Sequence, residues 1–264
     1  MELRLRERRA LVTGSTAGIG FATARMLAGE GADVVVNGRT PERVAAAIAR
    51  IREEFPSAEL TGVAADLGSA DGCADLLERV PAVDILVNNV GIFEPKPFEE
   101  IPDDDWFRFF ETNVMSGVRL ARHYLPRMRA RDWGRIVFVS SESAVQIPAE
   151  MVHYGMTKTA QVAIARGIAE STAGTGITVN SVLAGPTASE GVTAFVEELG
   201  RSRGMDREAM ERDFFESARP SSLLRRFATP DEIASAIVYL CGEPASATTG
   251  AAVRADGGVV RAIL

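Results

Sequence analysis

Tyr154 and Lys158 stand four residues apart in Tyr154-Gly155-Met156-Thr157-Lys158, inside a stretch of helical pattern. Residues at that spacing share a helix face, so the phenol and the ammonium can point into one cleft. A free phenol titrates near ~10, and a neighbouring cation favours its phenolate. Bringing it close to neutrality takes ~4 kcal/mol of differential stabilisation. An ordinary surface pair is the plain alternative, and composition argues against it. Lys and Arg total 29, yet Lys occurs only at Lys96 and Lys158. A compact ammonium is used at 158 where a guanidinium fork is this chain's habit. Thirteen residues before Tyr154, an apolar run ends in Ser140-Ser141. A hydroxyl there can hydrogen-bond a carbonyl, although a Ser pair after a strand is also a common cap or turn.

A second group of residues could hold phosphate. Thr13-Gly14-Ser15-Thr16-Ala17-Gly18-Ile19-Gly20 follows an apolar run and opens a helical pattern. Glycines at that place allow a tight turn and close backbone approach to a pyrophosphate, whose charge then sits at a helix N-terminus. The spacing is GxxxGxG rather than GxGxxG, and a glycine turn that only packs helix on strand is the alternative. After Val34-Val35-Val36-Asn37 come Gly38, Arg39 and Thr40. An acid there would hold a ribose 2′-hydroxyl, whereas an arginine fork suits a 2′-phosphate. NADP(H) is the preferred coenzyme on this reading, with NAD(H) as the alternative. Arg39 is the main phosphate ligand, helped by Ser15, Asn37 or Thr40, and Gly38→Asp is expected to move preference toward NADH. A solvated surface Arg39 is the competing interpretation.

The elements that must carry these groups can be read from periodicity. Ala10–Thr13, Asp33–Asn37, Leu60–Ala65, Asp84–Asn88, Arg135–Ser140 and Ile177–Leu183 are apolar runs without polar alternation, as in strands buried on both faces. Between them lie helical patterns over Ile19–Glu30, Pro41–Glu54, Ala70–Arg79, Asp103–Arg131, Met151–Ala173 and Pro230–Gly242. Thr40-Pro41 and Thr229-Pro230-Asp231-Glu232 carry helix-start chemistry. The alternation predicts one α/β domain over 1–264, a Rossmann-type three-layer α/β/α sandwich whose parallel, doubly wound sheet has about seven strands. The interval 186–222 has no strand, only helical patterns at Val192–Arg203 and Arg207–Ala218 joined at Gly204. It is expected to be a substrate lid, with packing on a neighbouring subunit as the alternative.

Composition closes off several classes. The 264 residues carry a net charge of −7 and are 46% hydrophobic, so no basic field exists for nucleic acid or an anionic membrane. No run of about 18 apolar residues occurs, and no apolar segment follows the Arg-rich start, so neither a membrane span nor a signal peptide is expected. Cys73 and Cys241 have no disulfide or metal-ligand spacing, which fits a reducing, cytoplasmic setting. Asp103-Asp104-Asp105 reads as an acidic helix start, and no metal site is expected. His153 reads as structural or as part of a substrate rim.

The sequence resembles the short-chain dehydrogenases/reductases of the classical type over nearly its whole length. The landmarks stand in order: the turn at Thr13–Gly20, Asp66-Leu67, Asn88-Asn89-Val90-Gly91, Asn113, Ser141 with Tyr154 and Lys158, Asn180-Ser181-Val182, and Asp256-Gly257-Gly258. The resemblance implies that Tyr154 is a general acid, that Lys158 lowers its pKa and holds the nicotinamide ribose, and that Ser141 polarises the substrate carbonyl. It implies too that Asn113 anchors a water linking Lys158 to solvent. Coenzyme contacts are implied at Gly14, Ser15, Thr16, Gly18, Ile19, Gly20, Arg39, Asp66, Leu67, Asn88, Val90, Gly91, Tyr154, Lys158, Gly185 and Thr187. Val90 departs from the family's usual Ala, and Ala184-Gly185-Pro186 from its usual Pro-Gly.

The expected activity is hydride transfer between NADP(H) and a carbonyl or secondary alcohol of a small or medium substrate, as in 3-oxoacyl reductases. The alternatives are an NAD-dependent dehydrogenase of a sugar- or steroid-type alcohol and a non-catalytic dinucleotide-binding sensor or scaffold. Phe93, Phe98, Met151, Phe195, Phe214 and Phe215 either line an apolar substrate pocket or fill the core under the lid. Pairing of subunits through Asp103–Arg131 and Met151–Ala173, giving a dimer or tetramer, is implied by the resemblance.

Overall fold

The computed structural model describes residues 2–193 and 205–263. The six apolar runs become β1 (Arg9–Val12), β2 (Asp33–Gly38), β3 (Leu60–Ala64), β4 (Ile85–Asn88), β5 (Gly134–Ser141) and β6 (Ile177–Ala184). A further strand, β7 (Ala252–Ala255), extends the sheet. Every pairing is parallel, in the order β3-β2-β1-β4-β5-β6-β7. β7 had no apolar run to announce it. It is four residues long at the sheet edge, and its exposed Ala252 and Arg254 alternate with half-buried neighbours.

Alternate residues of a strand face opposite sides of the sheet, and here both sides are covered. Ala10, Val12, Val34, Val36, Ile85, Val87, Val137 and Val139 join one buried layer. That layer is completed by α1 (Gly18–Gly29), α2 (Pro41–Glu54) and α8 (Pro230–Cys241) through Leu27, Ile51 and Ile237. Leu11, Val35, Leu86, Ile136 and Phe138 join the other layer with α3 (Ala70–Arg79), α5 (Ser116–Ala130) and α6 (Val152–Ser171), through Leu76, Leu120 and Ala165. The result is a three-layer α/β/α fold of Rossmann-like type. No described helix is long and apolar enough to cross a membrane.

Helix starts follow the local sequence. Thr40 Oγ1 accepts the Arg43 N–H, and Thr229 with Glu232 forms a reciprocal capping box, each ahead of a proline in the first turn. The long helical pattern from Asp103 is not continuous. It is α4 (Asp103–Phe110), a π-helical turn over Glu111–Met115 that contains Asn113, and then α5. Such turns recur at functional sites. In the interval 186–222, α7 (Arg207–Ser217) is present, while the expected helix beyond Thr193, with Phe195 and the joint at Gly204, lies outside the described residues. Strand order reverses between β1 and β4, which leaves a crevice at the carboxyl ends of the strands.

Candidate active site

That crevice is a cleft of about 830 Å³. One end is lined by Ala17, Gly18, Ile19 and Gly20, the middle by Asn89 and Gly91, and the inner end by Ser141, Tyr154, Lys158, Gly185 and Thr187. The parallel sheet brings these together because each lies just past the carboxyl end of a strand or on the helix that follows it.

The glycine turn is shaped for an anion. Gly14 and Gly18 have φ of +60° and +55°, and a Cβ on Gly20 would stand 2.4 Å from the Gly14 carbonyl oxygen. No side chain caps α1 and no acid occupies its first turn, so its leading N–H groups face the cleft unanswered. These residues fit a dinucleotide pyrophosphate. Asn37 and Ser15 do not face it. The Asn37 side-chain oxygen accepts the Gly14 N–H at 3.1 Å while its amide donates to the Val63 and Ala65 carbonyls. The Ser15 hydroxyl donates to the Val12 carbonyl at 2.7 Å, and its N–H to the Asn37 carbonyl. Both were expected to help with phosphate; instead they pin the turn to β1 and β2, since buried polar groups must find partners. Arg39 is exposed past β2 with no ion-pair partner among the described residues. Thr16 packs against Gly38, and Val90 against Gly14.

Other expected contacts divide between rim and interior. Asp66 is exposed beyond β3 and holds the Gly68 N–H at 3.0 Å. Leu67 is buried in the core rather than open to the cleft. Asn88 is also buried, its side chain has no hydrogen-bond partner among the described residues, and it is not part of the cleft lining. Its neighbour Asn89 does, with its amide donating to the Thr13 and Gly14 carbonyls at 2.9 and 3.2 Å. Gly185 makes a close backbone approach, since a Cβ there would meet the Asp256 carbonyl oxygen at 2.6 Å. The Thr187 hydroxyl donates to the Gly185 carbonyl.

At the inner end, Tyr154 and Lys158 share one face of α6 as their spacing requires, yet the electrostatics differ from expectation. Burial pushes the Tyr154 phenol up, and the Glu142 charge adds to this; the hydrogen-bonding interaction with Ser141 and the charge of Arg219 pull it down by less. The Lys158 ammonium sits 5.6 Å from the ring centroid and donates to the Val139 carbonyl at 3.0 Å and to Gln161 Oε1 at 3.2 Å. Burial lowers the pKa of Lys158 itself to about 8, with Glu142 opposing. The phenol therefore keeps its proton at neutral pH.

Asn113 is buried in the π-turn. Its side chain clasps both backbone groups of Ile92 and donates to Thr157 Oγ1 at 3.0 Å. Its main-chain carbonyl accepts Gln161 Nε2 at 2.6 Å. The side-chain amide of Gln161 thus joins Lys158 Nζ to the Asn113 carbonyl.

The model of the family described as short chain dehydrogenase matches residues 8–200. The chain belongs to that family. The Bacillus subtilis oxidoreductase YvaG is 47% identical over 263 residues, covering all of both chains. D-beta-hydroxybutyrate dehydrogenase of Cupriavidus necator is 33% identical over 95% of this chain and 97% of its own. Among solved structures, L-sorbose reductase of Gluconobacter frateurii, complexed with NADPH and L-sorbose, superposes with a TM-score of 0.94 at 31% identity over all of both chains.

Three residues of this short-chain dehydrogenase had no part in the motif reading. Gln161 could have been found, because three residues past Lys158 is a helical neighbour. Glu142 directly follows Ser141, and Arg219 lies beyond α7, 77 residues away in sequence, so only the fold pairs them, at 2.9 Å. Their side chains are 5% and 8% exposed. Arg219 also holds Glu150 at 3.2 Å. Of the candidate apolar residues, Phe93, Met151 and Phe214 line the cleft. Phe215 is core and Phe98 is exposed at the surface. His153 is buried between Phe109 and Trp106 with neither ring nitrogen bonded, a packing residue rather than a substrate rim.

Proposed function

We propose that this short-chain dehydrogenase interconverts a carbonyl and a secondary alcohol with NADP(H), the proton moving through Tyr154. The observation that carries the reading is the half-buried Tyr154 together with Ser141 and Lys158 at the inner end of a cleft that begins at the uncapped N-terminus of α1. NADPH supplies a hydride when bound, and the protein must then supply one proton to the developing alkoxide. The N–H groups opening α1 and the glycine turn would hold the pyrophosphate, and Arg39 the 2′-phosphate. Gly185 and Thr187 would border the nicotinamide end, with Lys158 at its ribose. The NADPH held by the sorbose reductase, whose fold this chain shares, supports the choice of coenzyme.

Tyr154→Phe tests the reading. NADPH affinity, read by fluorescence titration, should persist while turnover falls by a factor on the order of 10²–10⁴. Undiminished turnover would refute it. In a panel of ketones and alcohols, the substrate end favours neutral, hydroxyl-bearing compounds over anions, because among the described residues Glu142 and Glu150 share Arg219. L-sorbose should therefore be taken before 3-hydroxybutyrate or a 3-oxoacyl thioester, and the reverse order would overturn that preference. The segment 186–222 is proposed as the cover of this end, since α7 contributes Met210 and Phe214 to its wall. Self-association through the helical face that exposes Phe107 and Phe110 completes the reading, and a monomer by light scattering would remove that part of it.

A further inference from the structure

Arg219 lines the cleft with its guanidinium anchored from two sides. Nε donates to Glu142 Oε1 at 2.9 Å, and Nη1 donates to Glu150 Oε1 at 3.2 Å and to the Ala218 carbonyl at 2.8 Å. The two acids belong to separate single-turn segments, Glu142–Ala144 after β5 and Ala149–Met151 ahead of α6. The Arg219 N–H closes the end of α7 on the Phe214 carbonyl at 3.0 Å, and the guanidinium lies 5.8 Å from the Phe214 ring centroid. A planar fork held at two nitrogens by partners from two elements has its third nitrogen fixed in direction. That nitrogen, Nη2, has no hydrogen-bond partner among the described residues, and it is not fully shielded from the cleft. Beside it, Glu150 is half-exposed, and its Oε2 takes no hydrogen bond from a described residue. One patch of wall therefore offers a charged donor and a charged acceptor together.

We infer that Arg219 and Glu150 are specificity-determining residues that read hydroxyl groups on the carbons beyond the reacting carbonyl, Nη2 donating to one hydroxyl oxygen and Glu150 accepting a hydroxyl proton. The inference rests on the carbonyl–alcohol reading above and assigns its preference for hydroxyl-bearing compounds to two side chains. Hydroxyls suit the patch because each both gives and takes a hydrogen bond. A substrate carboxylate would face two acids that share one cation, and an alkyl chain would cover Nη2 and leave it without a partner. Sites built to bond a substrate hydroxyl discriminate strongly against the analogue that lacks it, for that reason. The reach is short, since Glu142 directly follows Ser141 and Arg219 is bonded to Glu142. Both residues touch the substrate away from the reacting atoms, so they set which ketone is taken and carry no proton or hydride.

The test compares two six-carbon ketones at saturating NADPH, L-sorbose, which carries hydroxyls beyond its carbonyl, and 2-hexanone, which has none. The quantity read is the ratio of their kcat/KM values. Wild type should favour L-sorbose. Arg219→Lys keeps a cation for the buried Glu142 and gives up the fork. The ratio should fall roughly 10- to 100-fold, carried by a higher KM for L-sorbose, since a hydrogen bond to a charged group is lost. Glu150→Ala should lower the ratio about tenfold in the same way. Because Glu150 is half-exposed, that variant decides the matter even if Arg219→Lys does not fold. A wild type with no preference for L-sorbose overturns the inference. So does a loss in the variants that both ketones share equally, which is what a purely structural role for the ion pairs gives. Either failure leaves Tyr154→Phe inactive, whereas an active Tyr154→Phe enzyme would instead sink the catalytic reading itself.

Discussion

Lys158 Nζ donates to the side-chain oxygen of Gln161, one helical neighbour away on α6, at 3.2 Å. The other end of the same amide donates to the Asn113 carbonyl, so the helix that carries the ammonium is tied to the π-turn. Gln161→Leu should leave both groups buried without that partner. Each such loss costs about 1–3 kcal/mol. Urea denaturation should show a loss of that order, with turnover reduced more than coenzyme affinity. Gln161→Glu should give Lys158 an anionic partner and raise its pKa. A Leu variant as stable as wild type would mean the bridge is not formed.

Coenzyme choice is proposed to turn on Arg39, and the structure shows where not to test it. A Cβ at Gly38 would meet Thr16 Cγ2 at 2.4 Å and Val44 Cγ2 at 3.2 Å. The Gly38→Asp change expected from the sequence to favour NADH would thus shift the glycine turn as well as add charge. Arg39→Ala is the cleaner probe, because the side chain is exposed and has no ion-pair partner among the described residues. Losing a charge-assisted bond of about 1.5–3 kcal/mol should weaken NADPH binding roughly 10- to 100-fold. NADH binding should hardly change. Equal weakening of both coenzymes would remove Arg39 from the 2′-phosphate site.

The buried ammonium of Lys158 predicts a pH dependence of stability. Its pKa is about 8 in the folded protein against an ordinary 10.5. Between those values the unfolded chain holds a proton that the folded one has released, so stability from this group rises with pH across the window. Below it both states are protonated and the burial penalty is felt in full. The stability of wild type relative to Lys158→Met should therefore increase by up to ~3 kcal/mol from pH 8 to pH 10.5. A difference that stays level would show that Lys158 is not desolvated as the structure has it.

Much of this could be read along the chain because parallel strands buried on both faces are continuous apolar runs, and because Thr-Pro helix starts, a glycine turn and a four-residue helical spacing are local events. Those features determined the strands β1 to β6, most helix bounds and the meeting of Tyr154 with Lys158. Only the tertiary structure decided what surrounds them. It turned Ser15 and Asn37 inward, substituted Asn89 for Asn88 at the cleft and put the Gln161 amide between Lys158 and Asn113. It also set Glu142 against Arg219 from 77 residues away. The physical reason is the range of the interactions. Periodicity and capping act within a turn or two of chain, whereas burial and charge act on whatever the fold brings near. They raised the pKa of Tyr154, where an argument from its neighbour on the helix alone lowered it.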